Sequence, residues 1–292
     1  MSNLSKKAIR SFVVSACASA LLALASPAPA QQQTPPKPPP KKKLQANANF
    51  TQYAGRDASN RLIAGGATRD LKVTDDAGAL SIKGREAYEA GRYEEAAADF
   101  KRVTEMKPGD ARAFYELGVA YETAGRNKEA VAAYRQAAAL ADKMELKAVS
   151  LYNMGNAFAA DKQPKEAAEA YKQVIALVPD QAVAHYNLGL AYAAAGRMTD
   201  AVESFTQAIK LKPDYAEAYF NLGIAYGNLE RYKEAADAFK NAVQIRHDYA
   251  EAHFNLGLAY LALDDRADAQ GEINALEELK SPLAAKLKSF SE

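Results

Sequence analysis

Three histidines, one cysteine and no tryptophan supply little reactive chemistry to this chain of 292 residues. His185 and His253 stand at the same phase of an internal repeat, two repeats apart, too far to share an ion, and His247 stands where Pro is expected and should be exposed. Cys17 alone makes neither a disulfide framework nor a Cys-based zinc cluster. No Gly-rich Lys loop, Gly-x-Ser-x-Gly elbow or His-Glu-x-x-His pair occurs. These residues imply no catalytic site, no cofactor and no metal. What does recur is an amide: Asn153, Asn187, Asn221 and Asn255 fall at one phase. Tyr152, Tyr186, Phe220 and Phe254 precede them, and Val119, Asn156, Leu190, Ile224 and Leu258 form a column three residues further on. An amide carries a donor and an acceptor together, so a column of amides suits the backbone of an extended peptide. The same amides equally suit a bond to a neighbouring helix, and the rings suit packing between helices. Four such hydrogen bonds are worth roughly 2–6 kcal/mol. Micromolar binding needs about −8 kcal/mol, so the apolar and aromatic columns must add burial.

The elements that position these columns are set by a period. Gly84, Gly118, Gly155, Gly189, Gly223 and Gly257 are spaced by 34, 37, 34, 34 and 34 residues. Twelve residues after each stands Ala96, Ala130, Ala167, Ala201, Ala235 or Ala269, and four further on Phe100, Tyr134, Tyr171, Phe205, Phe239 or Ile273. His185, Leu188, Gly189 and Tyr192 share one face of a first helix; Ala201, Phe205 and Ala208 make a stripe on a second. Gly196 breaks the run between them and Pro213 ends it. Each repeat is thus a helical hairpin, crossing closely where Gly and Ala leave room. Stepping 100° per residue along the first helix turns Asn187 and Leu190 away from that core, with Tyr186 on the flank. The three extra residues after Asp142 predict a longer second helix, or a longer following turn, in the second repeat.

The Leu/Met-Gly pairs (Leu117-Gly118, Met154-Gly155, Leu188-Gly189, Leu222-Gly223, Leu256-Gly257) carry a resemblance, with Tyr121, Phe158, Tyr192, Tyr226 and Tyr260 three residues later, the recurring Ala, and Pro108, Pro179 and Pro213. On these residues the chain resembles the tetratricopeptide repeat (TPR) family over roughly residues 77–281. The resemblance implies an all-α fold, an α-solenoid of six tandem helix-turn-helix repeats (77–110, 111–147, 148–181, 182–215, 216–249, 250–281) wound as a right-handed superhelix, with first helices lining the concave side. Lys83 before the first Gly, Ala87 in place of an aromatic and Gly271 within the last second helix mark the end repeats as caps. Residues 282–292 read as a C-terminal capping helix. The amide column is similar to the asparagine ladder of the repeat domain in the glycosyltransferases that modify Ser/Thr inside the cell. The family's carboxylate clamp is not supported, because Glu89, Glu116 and Glu122 offset Arg85 and Arg112.

Residues 1–30 read as an address. Lys6, Lys7 and Arg10 precede an apolar run from Ser11 to Ala25, and Ala28-Pro29-Ala30 supplies small residues for cleavage. The pattern predicts export to the periplasm after cleavage at Ala30. The alternatives are a lipoprotein anchored through Cys17 and an uncleaved membrane anchor. Residues 31–76 are a Pro/Lys-rich and irregular linker. The whole chain carries a formal charge of +1, but residues 77–292 hold 26 basic against 32 acidic side chains, which argues against nucleic acid. Function follows as a non-enzymatic scaffold for protein–protein interaction. It would hold a peptide or partner segment in the concave groove. The competing reading is a structural subunit of an envelope assembly that self-associates through the repeat surface.

Overall fold

The computed structural model describes residues 76–291, and among them every regular element is an α-helix. The helices are α1 (Asp76–Glu89), α2 (Tyr93–Met106), α3 (Ala111–Thr123), α4 (Asn127–Leu140), α5 (Met144–Ala160), α6 (Pro164–Leu177), α7 (Ala182–Ala194), α8 (Met198–Leu211), α9 (Ala216–Asn228), α10 (Tyr232–Ile245), α11 (Ala250–Ala262), α12 (Arg266–Glu278) and α13 (Leu283–Ser291). They fall into two compact units, one holding α1 to α5 and the other α6 to α13. The expectations made for residues 1–75, including the signal sequence, Cys17 and the Pro/Lys segment, lie outside the described residues.

The six first helices, α1, α3, α5, α7, α9 and α11, end in the same way. The last turn closes when a backbone N–H three residues past the helix reaches back to a carbonyl, as Arg92 does to Ala87, Arg126 to Tyr121, Arg197 to Tyr192 and Arg231 to Tyr226, at 2.8–2.9 Å. This closure requires one residue in the left-handed region. Gly91, Gly125 and Gly196 supply it with φ of 76–78°, and Lys162, Glu230 and Asp264 take the same position at φ of 58–68°. The glycine signal of the sequence is therefore only half of the turn signal; the other half is written in side chains that tolerate the position at a cost.

Within a repeat the two helices meet at the recurring glycine. A Cβ on Gly118 would stand 2.6 Å from the Tyr134 ring, and one on Gly189 or Gly223 would stand 2.6 Å from Phe205 or Phe239. The ring therefore occupies the volume of the missing side chain, and Tyr134, Phe205 and Phe239 are almost wholly buried. The last repeat breaks this rule and shows why the cap exists. Its second helix carries Ile273 instead of a ring, and the space at Gly257 is filled by Leu287 from α13. The capping helix expected at 282–292 is α13, and its Ala284 and Leu287 are buried in the core of the second unit.

The extra residues after Asp142 act differently from expectation. α4 has the usual 14 residues, whereas α5 has 17 against 13 in α3, α7, α9 and α11. The insertion thus lengthens the first helix of the third repeat at its start. The previous helix stops after Leu140, where Ala141 turns extended, and Met144 to Lys147 extend the next one by four residues, the insertion's three plus one from a shorter turn.

Two substitutions test this packing. Gly189→Val should lower stability by at least about 1–3 kcal/mol, because the new side chain must displace a buried ring. Gly271→Ala, in an exposed helix interior with open space around it, should raise stability by up to about 1 kcal/mol. Thermal or urea melts followed by circular dichroism check both; equal melting of wild type and Gly189→Val overturns the close crossing.

Candidate binding face

The residues singled out by the sequence lie on the first helices. In the second unit α7, α9 and α11 carry Asn187, Asn221 and Asn255. The Asn221 amide nitrogen donates to the Tyr186 hydroxyl and to the Glu217 carbonyl, both at 2.9 Å. Asn255 instead donates to its own helix, at the Glu251 carbonyl, at 2.7 Å. The difference follows from one hydroxyl: the ring facing Asn221 belongs to Tyr186, while the one at the same position before Asn255 is Phe220. In the first unit Asn153 repeats the Tyr186 arrangement, donating to the Tyr115 hydroxyl at 3.1 Å. In both of these cases the amide ties its repeat to the one before it through that repeat's tyrosine.

The ring before the Asn is the joint on which this face is built. Tyr186 lies 5.8 Å from Phe205 of its own repeat and 4.9 Å from Tyr215 at the entry to the next. Phe220 repeats the geometry at 5.7 Å from Phe239 and 4.9 Å from Tyr249. Tilted ring pairs at these separations add roughly 0.5–1.5 kcal/mol beyond area burial. Lys212 stands 4.6 Å above the Tyr215 ring, and the Arg246 guanidinium 3.5 Å above Tyr249, where it also pairs with Glu217 at 2.8 Å. Burial pushes the phenols of Tyr215 and Tyr249 up to about 12, and that of Tyr186 higher still, so these hydroxyls stay protonated at any physiological pH. Tyr215 and Tyr249 were not among the sequence candidates. The signal for them is the repeated segment Asp-Tyr-Ala-Glu-Ala at 214–218 and 248–252.

In the first unit the amide position of the second repeat is taken by Glu116, which is 1% exposed. Arg85 approaches it with two nitrogens at 2.8 and 3.0 Å and Arg112 with one at 3.3 Å, all on the same carboxylate oxygen. Burial pushes this carboxyl above its ordinary range, against the pull of the two guanidiniums. The offset of Arg85 and Arg112 by acidic neighbours, expected from the sequence, is thus realised through Glu116.

Orientation needs a correction. The column at Val119, Leu190, Ile224 and Leu258 was expected to turn away from the core. Ile224 and Leu258 are 0% exposed and belong to the core of the second unit, and Val119 is buried. A helix in a stack has neighbours on more than one side: α9 touches α7 as well as α10, so a side chain facing away from its own hairpin still meets the next one. Asn221, Asn255, Phe220 and Phe254 are buried for the same reason, as is Tyr152 in the first unit. Tyr186, Asn187 and Leu190 on α7, and Asn153 and Asn156 on α5, remain half-exposed.

Sequence profiles of the tetratricopeptide repeat match residues 83–145, 152–216 and 204–236, and a profile described as TPR repeat matches 228–264, together more than half of the chain. The chain belongs to the tetratricopeptide repeat family. Among solved structures this TPR chain is similar to MamA, at 27% identity over 57% of this chain and 96% of that one, with a TM-score of 0.53. It shares its fold with YrrB, described as a TPR protein with an unusual peptide-binding site, at 21% identity over 65% of this chain and 97% of that one, with a TM-score of 0.56. A tetratricopeptide repeat protein from Parabacteroides merdae is similar at 18% identity over 73% of this chain and 85% of that one, with a TM-score of 0.59. No curated protein matches the chain.

The tie between Tyr186 and Asn221 is open to a double-mutant cycle. Tyr186→Phe, Asn221→Ala and the double variant should show a coupling of about 0.5–1.5 kcal/mol in urea unfolding. Strict additivity overturns the tie.

Proposed function

We propose that this TPR protein is a non-enzymatic scaffold that holds an extended segment of a partner protein against the first-helix face. The observation that carries the reading is the half-exposed group Tyr186, Asn187 and Leu190 on α7. It joins a ring, an amide and an aliphatic side chain within one helical turn. Contact falls on these three residues, while Phe220, Asn221, Ile224, Phe254, Asn255 and Leu258, buried in the same unit, form the wall that holds the face rigid. The Asn187 amide sets a polar group beside the contact, and Leu190 supplies apolar burial. A rigid wall limits the ordering cost on the scaffold's side, which favours binding of a flexible segment. The peptide-binding site named for YrrB supports the class of ligand. The basic, apolar and small-residue series from Lys6 to Ala30 supports a site of action outside the cytoplasm, in the periplasm.

A photo-crosslinking residue placed at Leu190 should capture one partner, and the same residue at Lys240, exposed on α10, should not. Titration calorimetry with a peptide from the captured partner should then show about a tenfold loss of affinity for Asn187→Ala/Leu190→Ala, a change of about 1.4 kcal/mol. Equal capture at both positions, or unchanged affinity with unchanged circular dichroism, overturns the proposal. Capture of a second copy of the chain alone would replace it with the self-assembly reading.

A further inference from the structure

The second unit repeats one histidine contact and then adds a charge to it. His185 on α7 places Nε2 3.0 Å from the Pro179 carbonyl. His253 on α11 places Nε2 2.9 Å from the His247 carbonyl, six residues back in each case. The equivalent position on the second helix differs between repeats: it is Ser204 on α8 and Glu272 on α12, with Ala238 on α10 in the repeat where Tyr219 replaces the histidine. Ser204 spends its hydroxyl on the Asp200 carbonyl. Glu272 instead brings a carboxylate oxygen to 2.6 Å from Nδ1 of His253. Both ring nitrogens of His253 therefore face oxygens that can only accept. A neutral imidazole has one N–H and would turn a lone pair toward one of them; the imidazolium donates to both.

We propose that His253 is a proton-operated latch on the C-terminal repeat: its charged ring binds Glu272 on α12 and the turn after α10 at once, and loss of one proton releases one of the two ties. The side chains of the pair are only 12% and 17% exposed, so solvent replaces the lost bond poorly. The hydrogen bond to Glu272 and the carbonyl of His247 raise the titration point of the ring, while burial lowers it, and the raising effects prevail. With the folded value raised, the added stability is full below the ordinary histidine range and is lost as pH climbs through the folded value.

The other charged groups around the latch have contacts of their own or face solvent. Arg246, after α10, pairs with Glu217 and lies over Tyr249. Lys286 on α13 lies over Phe254. Asp265 caps α12 through the Asp268 backbone. His247, Asp248 and Glu251 are exposed. The latch holds the helix against which α13 packs, so its release loosens the cap that fills the space at Gly257.

Two measurements on the full chain test this. The ring titration of His253, followed by NMR, should have its midpoint above the ordinary histidine value, and Glu272→Gln should move it down. Amide-exchange protection across α12 and α13 should fall severalfold between about pH 6 and about pH 8 in the wild type, while protection of α7 should not. Glu272→Gln, which keeps shape and an acceptor, should flatten that dependence; His253→Gln gives the same result by the other partner. A midpoint at or below the ordinary value, or an equal pH dependence in wild type and Glu272→Gln, overturns the latch.

Discussion

Everything in this protein depends on one contact, the ring of a second helix seated on a glycine of the first. Glycine within a helix costs about 1 kcal/mol relative to alanine. The chain accepts that cost repeatedly because Phe100, Tyr134, Phe205 and Phe239 each need the volume a Cβ would take at Gly84, Gly118, Gly189 and Gly223. The contact fixes how near the two helices lie and where along their length they cross. Once those are fixed, every other position on the first helix has a determined neighbour. The final repeat satisfies the same demand with a leucine from α13 in place of a ring. The requirement is thus for filled space, and the ring is the usual way of meeting it.

The polar groups follow from that packing. Within each unit the ring one residue ahead of the amide position meets the next repeat, so a tyrosine there can bond the next amide and a phenylalanine cannot. The two amides seen bonding a preceding tyrosine, Asn153 and Asn221, and the one that turns to its own helix, Asn255, differ by that single oxygen. Glu116 shows the alternative solution, a buried carboxylate held by two guanidiniums. The candidate binding face is the partly buried group on α7, backed by residues of the same unit that are committed to one another.

Much of this was legible in the residues. The recurring glycine, the alanine twelve further on and the ring after it announced paired helices, because close crossings leave small residues at fixed intervals. The histidine phase, the capping role of the last segment and the counterbalance of Arg85 and Arg112 were also visible. The three-residue insertion was expected in the second helix of the second repeat or the turn after it, and lies instead in the next first helix. Its composition favours a helix, but composition does not say from which end a helix is extended; the stop after Leu140 does. The columns read as outward-facing were misjudged because a helical wheel knows one partner helix, and α9 has more than one.

The sequence by itself determined the hairpin, its period and the residues that meet across it, since those depend on contacts within about 34 residues and on side-chain volume. Only the tertiary structure decided which amides are spent inside the stack, which aliphatic side chains are covered, and that a histidine and a glutamate at unremarkable positions stand 2.6 Å apart. The physical reason is that exposure and hydrogen-bond partnership are properties of neighbouring hairpins. A single repeat carries no record of what will be packed against its far side.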